Sequence, residues 1–347
     1  MDFAAASKTK LYHVIKSQQF DIDLLQKLFY KTGNIKSQFK NPAGRTMLRR
    51  KHEGKLLFNV FYEPSTRTRY SFAAAANHLG MQVVDTENAK QFSSAIKGES
   101  IEDTIQVLAG YYPDAIVLRH HEAGAAHKAA MISSVPIINA GDGAGQHPTQ
   151  ALLDVFTIYN RMKKLNDLCI LVGGDLAYGR TVRSLVYLLS KFKGNSFVFC
   201  SPEPLMMFPD IKEHLDEIGA PYVEVTQNFQ KALPHADVVY WTRIQRERIV
   251  DPTIDIEDLM NQFVIDQEAL DTMKPYSVLM HPLPRNKEIA RECDDDIRSA
   301  YFEQAANWSV KQINQQRNSH YNCNMKDQSN SVRFPPVGLF HSELDYY

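Results

Sequence analysis

Four cysteines in 347 residues are few, and no two are close: Cys169, Cys200, Cys293 and Cys323. That excludes a disulfide-stapled scaffold, and no pair has the short spacing of a zinc ribbon. Two of them fall in strand-like runs, where buried free thiols are common, so all four read as reduced. An excess of either charge is missing too: 39 Lys and Arg stand against 40 Asp and Glu, a net charge of −1. Without a basic surplus nothing points to nucleic acid or to an anionic membrane surface, and any positive charge that matters must be local. No apolar run is long enough to span a bilayer, and Met1–Lys8 lacks the charge order and apolar core of a signal peptide. These absences read as a cytoplasmic protein without a membrane or nucleic-acid partner. Two motif-like segments also fall short. Val172-Gly173-Gly174-Asp175-Leu176-Ala177-Tyr178-Gly179 lacks the spacing of a dinucleotide turn. His120, His121, Glu122 and His127 lack that of a metal-binding helix and read as a polar loop.

What is present is apolar content of 44%, ample for two cores, in a length that suits two domains. Strand-like and helix-like segments alternate almost throughout. Strands are expected at Leu56–Val60, Met81–Val84, Asp114–Leu118 and Pro136–Asn139, with helices at Ser65–Leu79, Glu99–Tyr111 and Ala123–Met131. A helix opened by Pro148 runs to about Met162, after which the alternation restarts. Further strands are expected at Leu168–Val172, Ser196–Cys200, Tyr222–Val225, Val238–Thr242 and Ser277–Met280. This is the pattern of an α/β protein made of two doubly wound parallel-sheet domains, with the active site in the cleft between them. The polar, Asn- and Gln-rich end of the chain reads as a disordered tail from about Asn322 to Tyr347, or as a partner-binding segment.

The most informative segment is Phe61-Tyr62-Glu63-Pro64-Ser65-Thr66-Arg67-Thr68-Arg69. It joins an apolar strand to an alanine-rich helix. A helix start leaves backbone N–H groups unpaired, and here three hydroxyls and two guanidiniums surround them. That makes a phosphate cradle; the bland alternative is a Ser/Thr cap beside solvated arginines. Lys97-Gly98-Glu99 precedes a helix, Arg119-His120 closes a strand, Gln146-His147-Pro148-Thr149-Gln150 opens the middle helix, and His281-Pro282-Leu283-Pro284-Arg285 follows a strand. Arg180 sits at a helix start, where the dipole disfavours a cation unless an anion is near.

In order and spacing, from about residue 55 to 305, these segments resemble the carbamoyltransferase family. Thr242-Arg243-Ile244-Gln245-Arg246-Glu247-Arg248 and the proline in His281-Pro282-Leu283-Pro284 are similar to its aspartate-using branch. Guanidiniums suit a dicarboxylate, which they grip bidentately. The resemblance implies transfer of the carbamoyl group of carbamoyl phosphate to L-aspartate, giving N-carbamoyl-L-aspartate and phosphate, a step of pyrimidine biosynthesis, with no metal and no cofactor. It implies that Ser65, Thr66, Arg67 and Thr68 hold the phosphate. Thr68, Arg119 and His147 steady the carbonyl oxygen, and Gln150 with the carbonyls near Leu283 and Pro284 fixes the carbamoyl amino group. Arg180, Arg243 and Gln245 take aspartate. Ser93 and Lys97 match residues donated from a neighbouring subunit, Lys97 reaching aspartate as well, so a homotrimer with shared active sites is expected, with a separate regulatory chain possible. Residues 1–147 would form the carbamoyl-phosphate-binding domain, with a return helix at about 304–321, and residues 148–303 the aspartate-binding domain. Arg69 and Glu99 would stand behind the site, a carboxylate orienting the arginines.

The chain departs from the family pattern in places. Ala73 replaces a glutamate, which removes an i, i+4 partner from Arg69. Ala177 replaces a lysine, residues up to about Asn41 match loosely, and the return segment Ala305–Gln316 is less apolar than usual. A carbamoyltransferase for another amine, and a degenerate ligand-binding subunit, therefore stay open.

Overall fold

The computed structural model describes residues 11–246, 249 and 256–307; the expected tail and all but the first residues of the return helix lie outside them. Nine strands appear among the described residues, each near its expected place with ends shifted by a few residues. The first sheet holds β1 (Leu56–Phe61), β2 (Gln82–Thr86), β3 (Ala115–His120) and β4 (Ile137–Asp142), in the order β2-β1-β3-β4. The second holds β5 (Cys169–Gly173), β6 (Ser196–Cys200), β7 (Tyr222–Val225), β8 (Val238–Trp241) and β9 (Val278–Met280), in the order β7-β6-β5-β8-β9. Every pairing is parallel. Inner strands β1, β3 and β5 are almost wholly buried, as expected where helices cover both faces.

The helices are α1 (Ile22–Phe39), α2 (Pro42–Arg50), α3 (Thr66–His78), the single turn α4 (Ala89–Phe92), α5 (Ile101–Ala109), α6 (Ala125–Ile132), α7 (Pro148–Met162), α8 (Arg180–Leu189), α9 (Pro209–Ile218), α10 (Ile256–Gln262) and α11 (Gln267–Thr272). Residues 301–307 are helical as well. Their starts are chemical. Asp21, Asn41, Ser100 and Asp266 each accept a backbone N–H from the first turn that follows. The segment before Asn41, expected to match the family only loosely, is an ordered part of the fold from residue 11 on. Val14 bridges Ile138 of β4, and α1 buries Leu25, Leu28, Phe29 and Ile35 along one stripe.

Helix α7 joins the two units. Every residue from Pro148 to Ile158 is buried, so it is covered on all sides, and its Leu152, Val155 and Phe156 belong to a core shared by both sheets. Each such side chain contributes about 1.5–3 kcal/mol on burial. The two sheets are thereby held about one helix, with strand ends from both at a common cleft.

Candidate active site

Each sheet has a switch point, where successive strands leave in opposite directions: between β1 and β3 in the first, and between β5 and β8 in the second. Loops diverge there and leave a crevice at the C-terminal strand ends. A cavity of about 570 Å³ lies at both. Its walls are Arg119 at the end of β3 and the segments after β1 (Glu63–Thr68), β4 (His147, Gln150), β5 (Gly179–Thr181), β8 (Thr242, Arg243, Gln245) and β9 (His281–Pro284). The cavity thus gathers Ser65, Thr66, Arg67, Thr68, Arg119, His147, Gln150, Arg180, Arg243, Gln245, Leu283 and Pro284. Ser93 and Lys97 do not line it. They follow β2 on the 88–98 connection, where Lys97 is exposed and the Ser93 hydroxyl donates to the Ala89 carbonyl at 2.5 Å.

The charge balance of the lining is four guanidiniums against one carboxylate, Glu63. Glu63 was not singled out in the sequence, although it stands two residues before Ser65. Its Oε2 lies 3.4 Å from Arg119 and 3.7 Å from Arg180, one arginine from each half of the cleft. Arg119 also donates to the Ala140 carbonyl at 3.2 Å, and the buried Arg180 donates to the Gly143 carbonyl at 2.7 Å. Burial, and behind it repulsion from Arg243, weaken proton binding by Arg67; a guanidinium still stays charged. Cations pressed together with so little counter-charge create a strong local preference for an anion.

Ser65 is the N-cap residue of α3, and its side chain caps nothing. Helix starts with a serine usually spend the hydroxyl on the helix's own N–H groups. Here the Ser65 hydroxyl is not spent in that way.

His147 is the N-cap residue of α7 and is buried. Its pKa lies well below the ordinary histidine value, because burial penalises the charged ring and Arg180 and Arg119 repel it. Its Nδ1 is 3.1 Å from the Thr149 hydroxyl, and its backbone N–H donates to Ser184 Oγ at 3.2 Å. Gln245 donates through Nε2 to the Tyr178 carbonyl at 2.9 Å, and its own N–H donates to the buried Asp175 at 3.1 Å.

The His281–Pro284 turn is built by a second buried imidazole. His281 Nε2 is 2.9 Å from Glu288 Oε1, and the Leu283 N–H donates to His281 Nδ1 at 2.8 Å. Only a neutral ring with its proton on Nε2 satisfies both bonds, in line with burial lowering the His281 pKa despite the nearby carboxylate. Burial alone would raise Glu288, but its bonds from His281 and the Asn286 N–H outweigh that and hold it low. Leu283 has φ +47°, a left-handed conformation unusual for leucine, and the Leu283–Pro284 peptide is cis.

One sequence expectation is changed by the structure. Arg69, without its helical glutamate, is not loose: it pairs with Glu87 at 2.9 Å and Asp85 at 3.3 Å, both from β2 and its exit. Burial raises the pKa of Tyr62, and the charge of Glu99 adds to it. The glycines of the Val172–Gly179 turn also have a reason unrelated to nucleotides. A Cβ on Gly173 would sit 2.1 Å from the Trp241 ring, and one on Gly174 would sit 2.0 Å from the Thr242 carbonyl oxygen. Close passage of β8 dictates them. The His120 cluster is likewise internal: His120 Nδ1 accepts the Glu122 N–H at 3.0 Å, and its ring stacks on His121.

Two parallel α/β units turning their strand ends to one polycationic hollow define a two-domain enzyme whose cleft takes anions. A family model described as aspartate/ornithine carbamoyltransferase, carbamoyl-P binding domain, matches residues 12–160, and its Asp/Orn binding domain counterpart matches residues 166–312. The chain belongs to the aspartate/ornithine carbamoyltransferase family. It is 46% identical to aspartate carbamoyltransferase 1, chloroplastic, of Pisum sativum over 88% of this chain and 78% of that one. The catalytic subunit of M. jannaschii aspartate transcarbamoylase superposes with a TM-score of 0.81 at 38% identity, over 90% of this chain and 99% of that one. The Trypanosoma cruzi enzyme in complex with N-(phosphonacetyl)-L-aspartic acid superposes at 0.82 and 31% identity, over 89% and 96%.

These relatives overturn the cytoplasmic expectation. Five plant relatives, all at 46% identity, are chloroplastic. Reduced thiols report a reducing compartment, and an organelle interior meets that condition as well as the cytosol does. Among the described residues no helix is long and apolar enough to cross a membrane.

Proposed function

We infer that this chain is an aspartate carbamoyltransferase, transferring the carbamoyl group of carbamoyl phosphate to L-aspartate in pyrimidine biosynthesis. The observation that carries this is the single cavity in which Ser65–Thr68, Arg119 and His147 face Arg180, Arg243 and Gln245. The phosphate sits on the free N–H groups and hydroxyls at the start of α3, with Arg67 beside it. With the Thr149 hydroxyl donating to Nδ1 of His147, the neutral ring turns an Nε2–H toward the carbamoyl oxygen. Arg119 and Thr68 add donors there. Gln150 and the carbonyls of Leu283 and Pro284 accept from the carbamoyl NH2. Arg180 and Arg243 hold the two carboxylates of aspartate, with Gln245 supporting Arg243's side of the pocket.

The chemistry is alignment and electrostatics. The amino group of aspartate forms an N–C bond to the carbonyl carbon and gives up a proton to an oxygen of the departing phosphate. Negative charge builds on the carbonyl oxygen, where the donors wait. The C–O bond to phosphate then breaks, and phosphate leaves with the electron pair into a cationic cradle. Holding both reactants in one closed cleft supplies much of the rate.

Ser93 and Lys97 serve a neighbouring subunit's site in a homotrimer, with Lys97 reaching aspartate there. Their place outside this chain's own cavity and the exposure of Lys97 support that arrangement. Residues 1–147 form the carbamoyl-phosphate domain and residues 148–303 the aspartate domain, with the chain crossing back from residue 304. In support, Lys36 of α1 donates to Asn307 Oδ1 at 3.1 Å. The deciding assay offers saturating carbamoyl phosphate with L-aspartate or L-ornithine. Turnover of aspartate alone is expected; no turnover with either would leave only a ligand-binding subunit.

A further inference from the structure

Asp154, two turns into α7, is fully buried at 0% exposure. Its Oδ1 accepts from Gln150 Nε2 and from Gln304 Nε2, both at 2.7 Å, and its Oδ2 accepts the Tyr240 hydroxyl at 2.8 Å. The other end of the Gln304 amide accepts the His281 N–H at 3.0 Å. A chain of hydrogen bonds therefore runs from Gln150 through one carboxylate to the first residue of the His281–Pro284 turn. Tyr240, its phenol proton held tightly by burial and by the Asp154 charge, also bonds Thr181 on the cavity wall.

A buried carboxylate costs several kcal/mol unless its oxygens are satisfied; here three donors satisfy them. Its chemistry supplies the reason for its presence. An amide side chain is nearly symmetrical in shape and can present either its C=O or its NH2 to a ligand. An ionised carboxylate accepts and cannot donate, so the Gln150 NH2 is drawn inward and its C=O is turned toward the cavity. The Gln304 amide is ordered in the same sense by the carboxylate at one end and the His281 N–H at the other.

We propose that Asp154 is a positioning residue for the carbamoyl group, setting the polarity of the Gln150 amide and, through Gln304, anchoring the turn that carries Leu283 and Pro284. The proposal rests on the reading that Gln150 and this turn recognise the carbamoyl NH2, and it makes one carboxylate responsible for both halves of that recognition. Asp154→Asn keeps the shape but puts a donor among donors.

Two anions separate the roles. Inorganic phosphate needs only the start of α3; carbamoyl phosphate needs the amide recognition as well. By calorimetric titration Asp154→Asn weakens carbamoyl phosphate about tenfold, the worth of one charge-assisted hydrogen bond, and leaves phosphate affinity unchanged. Gln304→Met, which spares the carboxylate, weakens carbamoyl phosphate selectively by a smaller factor and serves where Asp154→Asn does not fold. In a Gln150→Ala background Asp154→Asn costs less than it does in the parent, the remainder being the share that passes through Gln304. Equal loss of both anions would reduce Asp154 to a structural residue and overturn the proposal. So would unchanged discrimination in Asp154→Asn and Gln304→Met alongside lost discrimination in Gln150→Ala. Unchanged discrimination in Gln150→Ala itself would overturn the underlying reading and the proposal with it.

Discussion

His147 shows how one residue can be set for its task by its surroundings. It is buried against Arg119 and Arg180, and both effects favour the neutral ring. A neutral imidazole donates one hydrogen bond without adding a fifth positive charge to the cavity. His147→Ala should lower kcat by about 10²–10³, the usual loss for one donor to a developing oxyanion, while phosphate binding changes far less; steady-state kinetics with a phosphate titration checks both. The same field has a consequence for stability. With the folded pKa below the ordinary 6.5, the unfolded chain binds more protons as pH falls through 6.5. The stabilisation is then complete above that value and lost below it. His147→Gln should flatten this part of the stability–pH curve, as followed by denaturant unfolding on either side of 6.5. At this scale the sequence exposed residues that sit in motifs. It did not expose Glu63 or Asp154, whose roles depend on partners from other elements. The i, i+4 spacing of Gln150 and Asp154 on a helix was the one available signal.

Between elements, the clearest device is the tie between α3 and β2. The departure at Ala73 suggested a weakened Arg69, but the strand beside it supplies Asp85 and Glu87. An intrahelical glutamate would contribute only about 0.2–0.5 kcal/mol. Removing the guanidinium leaves two partly buried carboxylates without it, one of them, Asp85, already pushed up by burial, and such a loss costs about 1–3 kcal/mol. Arg69→Met should therefore destabilise the chain by that amount in urea unfolding, and Ala73→Glu in the parent should restore almost nothing. The contact of β5 with β8 is tested by Gly173→Ala. Its new methyl would meet the Trp241 ring, and overpacking of this kind costs about 1–3 kcal/mol. Both glycines were visible in the sequence, but the tryptophan that requires one of them is 68 residues away by number (241 − 173). The N-terminal helices α1 and α2 carry no site motif to announce them; the Asp21 and Asn41 caps are their local signs.

For the molecule as a whole, the cavity needs both sheets. Six strand ends feed it, and β2, β6 and β7 do not. The connection after β2 carries Ser93 and Lys97 away from this cavity, which suits service in another. If sites are shared, Arg67→Ala and Lys97→Ala chains, each inactive, should regain part of the parent activity when mixed under conditions of subunit exchange. Absence of rescue in verified mixed trimers would assign each site to a single chain. Order along the chain by itself determined the alternation of strands and helices, the two-fold division of the fold and the cationic motifs at strand ends, because hydrophobic period and helix-start chemistry are local properties. Only the tertiary structure decided that Glu63 bridges two arginines, that β2 rescues Arg69 and that one buried carboxylate serves Gln150 and the His281 turn together. Those facts are distances between residues far apart in the chain, and such distances exist only once the sheets have been packed around α7.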